Sequence, residues 1–515
     1  MILTTKGRYS VIAVLHLAKY GKDKSITLAE IADKQAISLN YLEQIFSRLK
    51  KSNIVESIRG PGGGYRLAQS PEQINIYNIT NAVEEEITIT KCGNKQENTC
   101  FPEAVKCLAH DLWNSLEDKI IDHLSYITVD DVLNARSMNE NIYLDYNATC
   151  PIFSEIKAAM RDAFDFTLNP SSIHSHGRKA RSMIEDSREK IANSLSIKLG
   201  RGDYEICFTS SGTEANNLLL HNFENKEIAV STTEHLSILE PSKKNPNRLL
   251  VEVNKNGIID FKSITKALNS MSPKSLISII YANNETGIIQ DIKTIVTMAH
   301  ERGILVHSDI VQAFGKMSLN IAELGLDFAT ISAHKIGGAV GAAALIYPAD
   351  FPLKPQILGG GQEKSMRAGT ENVASIIGFG KAAELSIKNL KQYNSISILR
   401  DKMEDMITEI CPDAIIFGKD VERLPNTSMI SMPGVDTQTQ LIYFDMNGIS
   451  VSGGSACSSG KIQNSHVLSA MGRTIEEAKG AVRISLGLNS KIEHIEKFVS
   501  IWQILWKKSN IKVAV

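Results

Sequence analysis

The sequence predicts a multidomain chain: an α+β winged helix-turn-helix over residues 1–133, a linker over 134–141, an α/β domain over 142–394 and a smaller α+β domain over 395–515. Three observations predict it. At 515 residues the chain is too long for one ordinary domain. Its formal charge of −1 hides a segregation: residues 1–66 carry 11 Lys/Arg against 5 Asp/Glu, residues 67–135 carry 4 against 12, and residues 136–515 carry 41 against 40. From Ile142 the pattern also changes, from short amphipathic helices and a glycine-tipped hairpin to alternating strands and helices.

The composition, 43% hydrophobic and 22% charged, is that of a water-facing globular protein. The opening stretch MILTTKGRYSVIAVLHLAKYG lacks a small-residue cleavage site and reads as a folded helix, not a signal peptide. No apolar run approaches the roughly 20 residues that span a bilayer. Seven cysteines, odd in number and unevenly spaced, make a poor disulfide framework. We therefore expect a reducing cytoplasm, no membrane association, and cysteines kept for metal or nucleophilic chemistry.

In the head, residues 9–20 are helical in pattern, and Thr27 is placed to cap a second helix over Leu28 to Lys34. Ser38 is placed to cap a third. There Leu39, Leu42, Ile45, Phe46 and Leu49 fall on one stripe, leaving Asn40, Tyr41, Glu43, Gln44, Ser47 and Arg48 outward. That face of donors and acceptors suits base edges in a major groove. Ile54 to Arg59 and Tyr65 to Leu67 read as strands around Gly60-Pro61-Gly62-Gly63-Gly64, a wing with Arg59 at its base to contact DNA. Further on, Cys92, Cys100, Cys107 and His110 form a candidate metal or iron–sulfur ligand set, for which spacing alone would make zinc the default.

TTKGRYSVIAVL, ISLNYLEQIFSRLKKS, IRGPGGGY and CLAHDLW resemble the IscR-type winged-helix iron–sulfur regulators over nearly all of residues 1–133. The resemblance implies a [2Fe–2S] cluster held by Cys92, Cys100, Cys107 and His110, and promoter contacts from Tyr41, Glu43, Gln44 and Arg59. Asn40 stands where serine is usual, and both inter-cysteine gaps are longer than usual.

The polar run Asn134 to Asn141 has no apolar periodicity and reads as the linker. Beyond it, strands are expected over Glu205–Thr209, Glu227–Thr232, Leu276–Ala282, Ile304–Asp309, Phe328–Ser332 and Ala342–Tyr347. Helices such as Arg178–Leu195, Asp291–Arg302 and Asn372–Leu390 lie between many of them, as in a sheet covered on both faces. Ligands of such sheets gather beyond the carboxyl ends of the strands, and the unusual residues fall there. In DFATISAHKIGG a buried strand ends in Lys335, an amine placed for a carbonyl cofactor. Gly212-Thr213 opens a helix and makes an anion site. Asp309, with Gln312 three residues on, can hold a pyridinium nitrogen protonated. Asn284 and His235 follow two further strands. In VSGGSACSSG, Cys457 has few apolar neighbours and reads as an exposed nucleophile on a flexible loop. Arg483, in GAVRISLG, can clamp a carboxylate.

YLDYNATCP, FTSSGTEANN, TTEH, NNETG, HSDIVQ, SAHKIGG, MRAGTEN, SGGSACSSG and RISLG together resemble the cysteine desulfurases of the NifS/IscS type, within the class V aminotransferase-like family. The resemblance implies an α/β PLP-dependent transferase fold (fold type I) with pyridoxal 5′-phosphate as cofactor and L-cysteine as substrate. Lys335 then corresponds to the Schiff-base lysine, Asp309 to the pyridinium partner, Gln312 to the partner of the ring hydroxyl and His235 to the stacking residue. Thr213, Ser332 and His334 would hold the phosphate, with Thr370 supplied by the other subunit of a homodimer. Asn284 and Arg483 would bind the substrate carboxylate. Cys457 would take the sulfur as a persulfide and pass it to an acceptor or scaffold protein of iron–sulfur assembly. Cys150 stands where threonine is common, and Gly338-Ala339-Val340-Gly341 where Gly-Pro-Lys-Gly is usual. The whole reads as a regulator fused to the enzyme. Competing readings are a selenocysteine lyase, or a desulfurase whose head only binds a cluster or docks a partner without binding DNA.

Overall fold

The computed structural model describes residues 5–21, 24–35, 37–58, 60, 63–83, 110–133, 141–167, 169–454 and 465–511. They belong to two compact units, Met1–Glu140 and Asn141–Val515. The expected linker over 134–141 lies outside the described residues except for Asn141.

The first unit comprises α1 (Thr5–Tyr20), α2 (Leu28–Gln35), α3 (Leu39–Lys51), β1 (Val55–Ile58), β2 (Gly64–Leu67), α4 (Ile76–Ala82), α5 (His110–Tyr126) and α6 (Val129–Leu133). Thr27 caps α2, its Oγ1 accepting from Glu30 N at 3.2 Å. Ser38 holds the N-cap position of α3 but makes no side-chain cap; its carbonyl takes Tyr41 N and Leu42 N instead, both at 3.1 Å. The buried stripe of α3 is Leu42, Ile45, Phe46 and Leu49, whereas Leu39, expected on it, is 42% exposed because burial of α3 begins only at its second turn. Asn40, Glu43, Gln44 and Ser47 are exposed as expected. Arg48 is half-buried and turns back to its own unit, donating to Val83 O at 3.1 Å, and the Tyr41 ring packs edge-on against Tyr9. β1 and β2 pair antiparallel, with Ile58 opposite Gly64. A side chain at Gly64 would strike the carbonyl of Ile26, with which β2 also exchanges hydrogen bonds. Arg59, expected to contact DNA, lies outside the described residues.

The second unit begins with β3 (Ile142–Tyr143), then β4 (Tyr204–Thr209), β5 (Ile228–Ser231), β6 (Arg248–Val251), β7 (Leu276–Ser278), β8 (Leu305–Asp309), β9 (Phe328–Ser332) and β10 (Ala343–Pro348). β4 to β10 form one seven-stranded sheet in the order β4-β10-β9-β8-β7-β5-β6. It is parallel except at β10, which runs antiparallel to both neighbours. Alternation along the strands supplies a core on each face: Ile206 and Phe208 pack in one cluster and Cys207 in the other, as do Ala344 and Ile346 against Leu345. β6, which the sequence reading did not include, forms the edge beside β5.

β11 (Ile415–Ile416), β12 (Thr427–Ser431), β13 (Ile449–Ser450), β14 (Ser452–Gly453) and β15 (Ala481–Ser485) follow. Four of them make an antiparallel sheet in the order β11-β12-β15-β14, while β13 pairs with β3. A single helix of 38 residues, Val373–Ile410, contributes Val373, Ile376 and Phe379 to the main core and Ile396, Met403 and Ile407 to that of the smaller sheet. The expected boundary between residues 394 and 395 therefore falls inside a continuous helix.

One buried ion pair anchors the loop that precedes this helix. Glu363, Lys364 and Ser365 have φ of 45°, 57° and 68°, three successive non-glycine residues in the left-handed region. Arg188 holds Glu363 through two bonds of 3.0 Å, and Phe208 N donates to the same carboxylate at 2.8 Å. Both charges are almost fully buried. Glu363→Ala leaves Arg188 buried with only the half-exposed Glu185, 3.1 Å from its Nε, as counter-charge and strips Phe208 N of its acceptor, so we expect a loss of about 3 kcal/mol, read from denaturant titration of the full chain.

Candidate active site

The site assembles where the strands of the main sheet end. β9 is buried along its whole length, and the chain then tightens into a 3-10 turn, Ala333–Lys335, closed by Gly338 N on Ala333 O at 2.9 Å. The turn points Lys335 Nζ at the carbonyls of Asn147 and Ala148, 2.8 and 2.9 Å away. Asn147 O also accepts from Gln312 Nε2 at 3.0 Å, and its Oδ1 accepts from Lys316 Nζ at 2.7 Å. Lys316 itself is 1% exposed, and burial, with Lys335 close by, pushes its amine well below the usual lysine range. Cys150, four residues before Ser154 and buried, has its thiol pushed up to about 11 by burial.

A second chain of hydrogen bonds links three other strand ends. Asn216 Nδ2 donates to Asp309 Oδ2 at 2.9 Å and to Ser237 Oγ at 2.8 Å. Ser237 Oγ can then donate to His235 Nδ1, 2.8 Å away, which also accepts from Ser237 N at 3.2 Å. Those partners fix the His235 proton on Nε2. Burial lowers the His235 pKa, Asp309 opposes that shift, and Lys335 adds to it. Asp309 is 5% exposed, and its other oxygen accepts from Val311 N at 3.0 Å.

The helix Gly212–His221 starts beside the end of β9. Ser211 caps it by accepting from Glu214 N, and Glu214 is held by Arg367 at 2.8 Å. A Cβ at Gly212 would sit 3.9 Å from Ser332 Cβ, so this helix start and the end of β9 are neighbours. Thr213 is exposed beside them. The imidazole of His334, held at 2.8 Å from Thr149 Oγ1, is pushed down to about 4 by burial and by Lys335.

Arg483 and Asn284 meet through the backbone: Arg483 Nη1 donates to Asn284 O at 3.0 Å and Nη2 to Asp145 Oδ1 at 2.6 Å. Among the described residues Arg483 Nε is buried and finds no acceptor, and Asn216 Oδ1 is buried and finds no donor. Thr370 is exposed on a separate stretch. Cys457, Cys92, Cys100 and Cys107 lie outside the described residues, and so does the side chain of His110, whose backbone opens α5. Among the described residues no group of His, Cys, Asp or Glu is arranged to hold a metal ion, and no helix is long and apolar enough to cross a membrane.

The cluster fits pyridoxal phosphate on its donor set. A buried carboxylate, a neutral half-buried imidazole, an amine at a strand end and a capped helix start with a serine beside it match the ring nitrogen, ring face, carbonyl and phosphate of that group. The orphaned Asn216 Oδ1 leaves polar capacity for a bound molecule. Sequence reasoning missed Asn147, Asn216, Ser237 and Lys316. The motifs YLDYNATCP and FTSSGTEANN contain the two asparagines, but nothing in their spacing marks either as a junction.

Residues 142–498 match the family model described as aminotransferase class-V, and residues 3–135 match that of an iron-dependent transcriptional regulator. The chain is 39% identical over 383 residues to a cysteine desulfurase IscS of Dictyoglomus turgidum, covering 72% of this chain and 96% of that one. It is 36% identical over 371 residues to the cysteine desulfurase IscS 1 of Archaeoglobus fulgidus, covering 70% and 95%. Among solved structures, a NifS-like protein from Rickettsia africae aligns with a TM-score of 0.68 at 44% identity, over 72% of this chain and all of that one.

Two histidines, His307 fully buried and His334 half-buried, set a pH limit on this unit. His307, bonded to Ser278 and Thr330, is pushed down to about 3 by burial, as His334 is to about 4. Both folded values lie below the unfolded value of roughly 6.5, so the unfolded chain takes up protons first. Stability should therefore be full above about pH 6.5 and fall as the pH drops toward 4; a thermal midpoint that stays flat between pH 7.5 and pH 5 would contradict this.

Proposed function

Because the chain belongs to the class-V aminotransferase family, we propose that its second unit is a pyridoxal phosphate-dependent cysteine desulfurase, converting L-cysteine to L-alanine and leaving sulfur as a persulfide on Cys457. The observation that carries this reading is a pair of bonded networks beside the strand ends of the main sheet, one running from Lys335 through Asn147 to Asn284 and Arg483, the other from Asp309 through Asn216 and Ser237 to His235. When bound, pyridoxal phosphate supplies an electron sink for the substrate's α-carbon. Asp309 would hold the ring nitrogen, Gln312 the ring hydroxyl, His235 the ring face, and Thr213, Ser332 and His334 the phosphate. Thr370 of the partner subunit in a homodimer would complete the phosphate site.

The residues of the chain do the rest. Asn284 and Arg483 hold the substrate carboxylate, with the unpartnered Arg483 Nε as a ready donor. Lys335 moves the α-proton. The Cys457 thiolate attacks the substrate sulfur: a sulfur–sulfur bond forms as the bond from sulfur to the β-carbon breaks, the freed pair is protonated, and alanine leaves. The persulfide then passes to an acceptor protein of iron–sulfur assembly. In Cys457→Ala we expect cysteine-dependent sulfide release under reducing conditions to fall to background, while the visible absorption of the bound cofactor is kept. Undiminished release would sink the assignment.

For the first unit we propose a winged-helix regulator that binds promoter DNA. The exposed Asn40, Glu43 and Gln44 on α3 support major-groove contact, with Tyr41 at the edge of that face and Arg59 on the hairpin. Cys92, Cys100, Cys107 and His110 supply three thiolates and an imidazole, a donor set suited to a [2Fe–2S] cluster. Joined to a sulfur-supplying enzyme, such a unit would tie promoter occupancy to cluster supply. Arg59→Ala should weaken binding to its promoter across sequences and lower the salt slope by about 1; an unchanged slope would leave a docking or cluster-binding head as the better reading.

A further inference from the structure

Both described ends of the stretch that carries Cys457 meet one buried carboxyl. Gly454 and Ser465 bracket residues 455–464, and Glu285 follows Asn284 in the turn after β7. Glu285 is 1% exposed. Ser465 Oγ donates to its Oε2, and a Cβ built on Gly454 would collide with that same oxygen, so the two ends pack on a single atom. Ser465 also caps the next helix by accepting from Leu468 N at 3.0 Å. His466 Nε2 donates to Glu234 O at 3.0 Å, one residue before His235. The far end of the stretch is thus hooked to two strand ends of the main sheet, and the near end is pressed against one of the same two residues.

The nearer anchor decides where the thiol can go. Cys457 is three residues beyond Gly454, and an extended chain spans at most about 3.6 Å per residue, so its Cα stays within roughly 11 Å of Gly454 Cα. Glu285 adjoins Asn284, whose carbonyl is bonded to Arg483. The anchor thus lies one residue from the strand end where the substrate carboxylate would be held. Burial pushes this carboxyl above the ordinary range, against the Ser465 hydrogen bond and the nearby His466 and Arg483.

We propose that Glu285 is a positioning residue for sulfur transfer, holding both ends of the Cys457-bearing stretch against the substrate-binding strand end. The inference rests on the desulfurase reading and adds to it a residue that touches neither substrate nor cofactor. The test uses the full-length holoenzyme and follows persulfide on Cys457 by mass spectrometry after rapid mixing with L-cysteine. In Glu285→Ala we expect cofactor absorbance and KM for L-cysteine near wild type, with persulfide formation slowed roughly 10- to 100-fold. Glu285→Gln keeps an oxygen acceptor of the same shape for Ser465 and should stay within about threefold of wild type. Ser465→Ala cuts the same tie from the other side and should slow the step in the same direction, which covers the case in which Glu285→Ala does not fold. Wild-type persulfide rates in Glu285→Ala, or in Ser465→Ala should the first not fold, would overturn the inference. Absence of persulfide in the wild type would instead overturn the desulfurase reading, and this inference with it.

Discussion

The second unit depends on one saturated side chain. Asn147 is 1% exposed and uses every hydrogen-bonding group it owns. Its backbone N–H donates to Ser485 Oγ, and its carbonyl takes Gln312 and Lys335. Its amide oxygen takes Lys316 and Asn426, and its amide nitrogen reaches Thr427 and the carbonyl of Asn284. A buried polar group left without partners costs on the order of 1–3 kcal/mol, so a junction this full has one favourable arrangement. That arrangement sets the cofactor-end lysine, the two residues near Arg483 and the smaller sheet in a fixed relation.

The other polar devices serve the same end by different means. The chain from Asn216 through Ser237 decides which nitrogen of His235 carries its proton, so a residue on the helix that follows β4 sets the tautomer of a histidine that follows β5. Arg367 on Glu214 ties the stretch bearing Thr370 to the helix start at Gly212. The left-handed residues Glu363 to Ser365 lie just before that stretch, and their backbone is tolerable only because Arg188 and Phe208 N hold Glu363. Local strain at a site of this kind is secured by a buried ion pair outside it.

Much of the main sheet was legible because alternation and strand-end chemistry are local signals. β9 has the expected bounds, Lys335 is delivered at its end, and Asp309 closes β8 as the motif HSDIVQ suggests. What stayed hidden is non-local. Asn147 meets Lys335 across 188 positions and Thr427 across 280, and no window of sequence carries such a pairing. The errors in the head have a related cause. Helical periodicity put Leu39 on the buried stripe and Arg48 outward, but periodicity knows only the helix, not where its neighbours begin to cover it. β6, missed as a strand, is a four-residue edge strand in which Arg248 and Leu249 are half-buried, Leu250 is exposed and only Val251 is buried, so its burial does not follow the alternation that marks a strand.

The 38-residue helix Val373–Ile410 spans about 57 Å at the usual rise per residue. Its first half is cemented into one core and its second half into the other. Mechanically it is a beam, and bending it at the middle would rupture backbone hydrogen bonds. The two sheets of this unit therefore have no hinge between them along that line. Any opening and closing that turnover demands has to be carried by surface loops moving over a stiff frame, and a load placed on one sheet is borne by both.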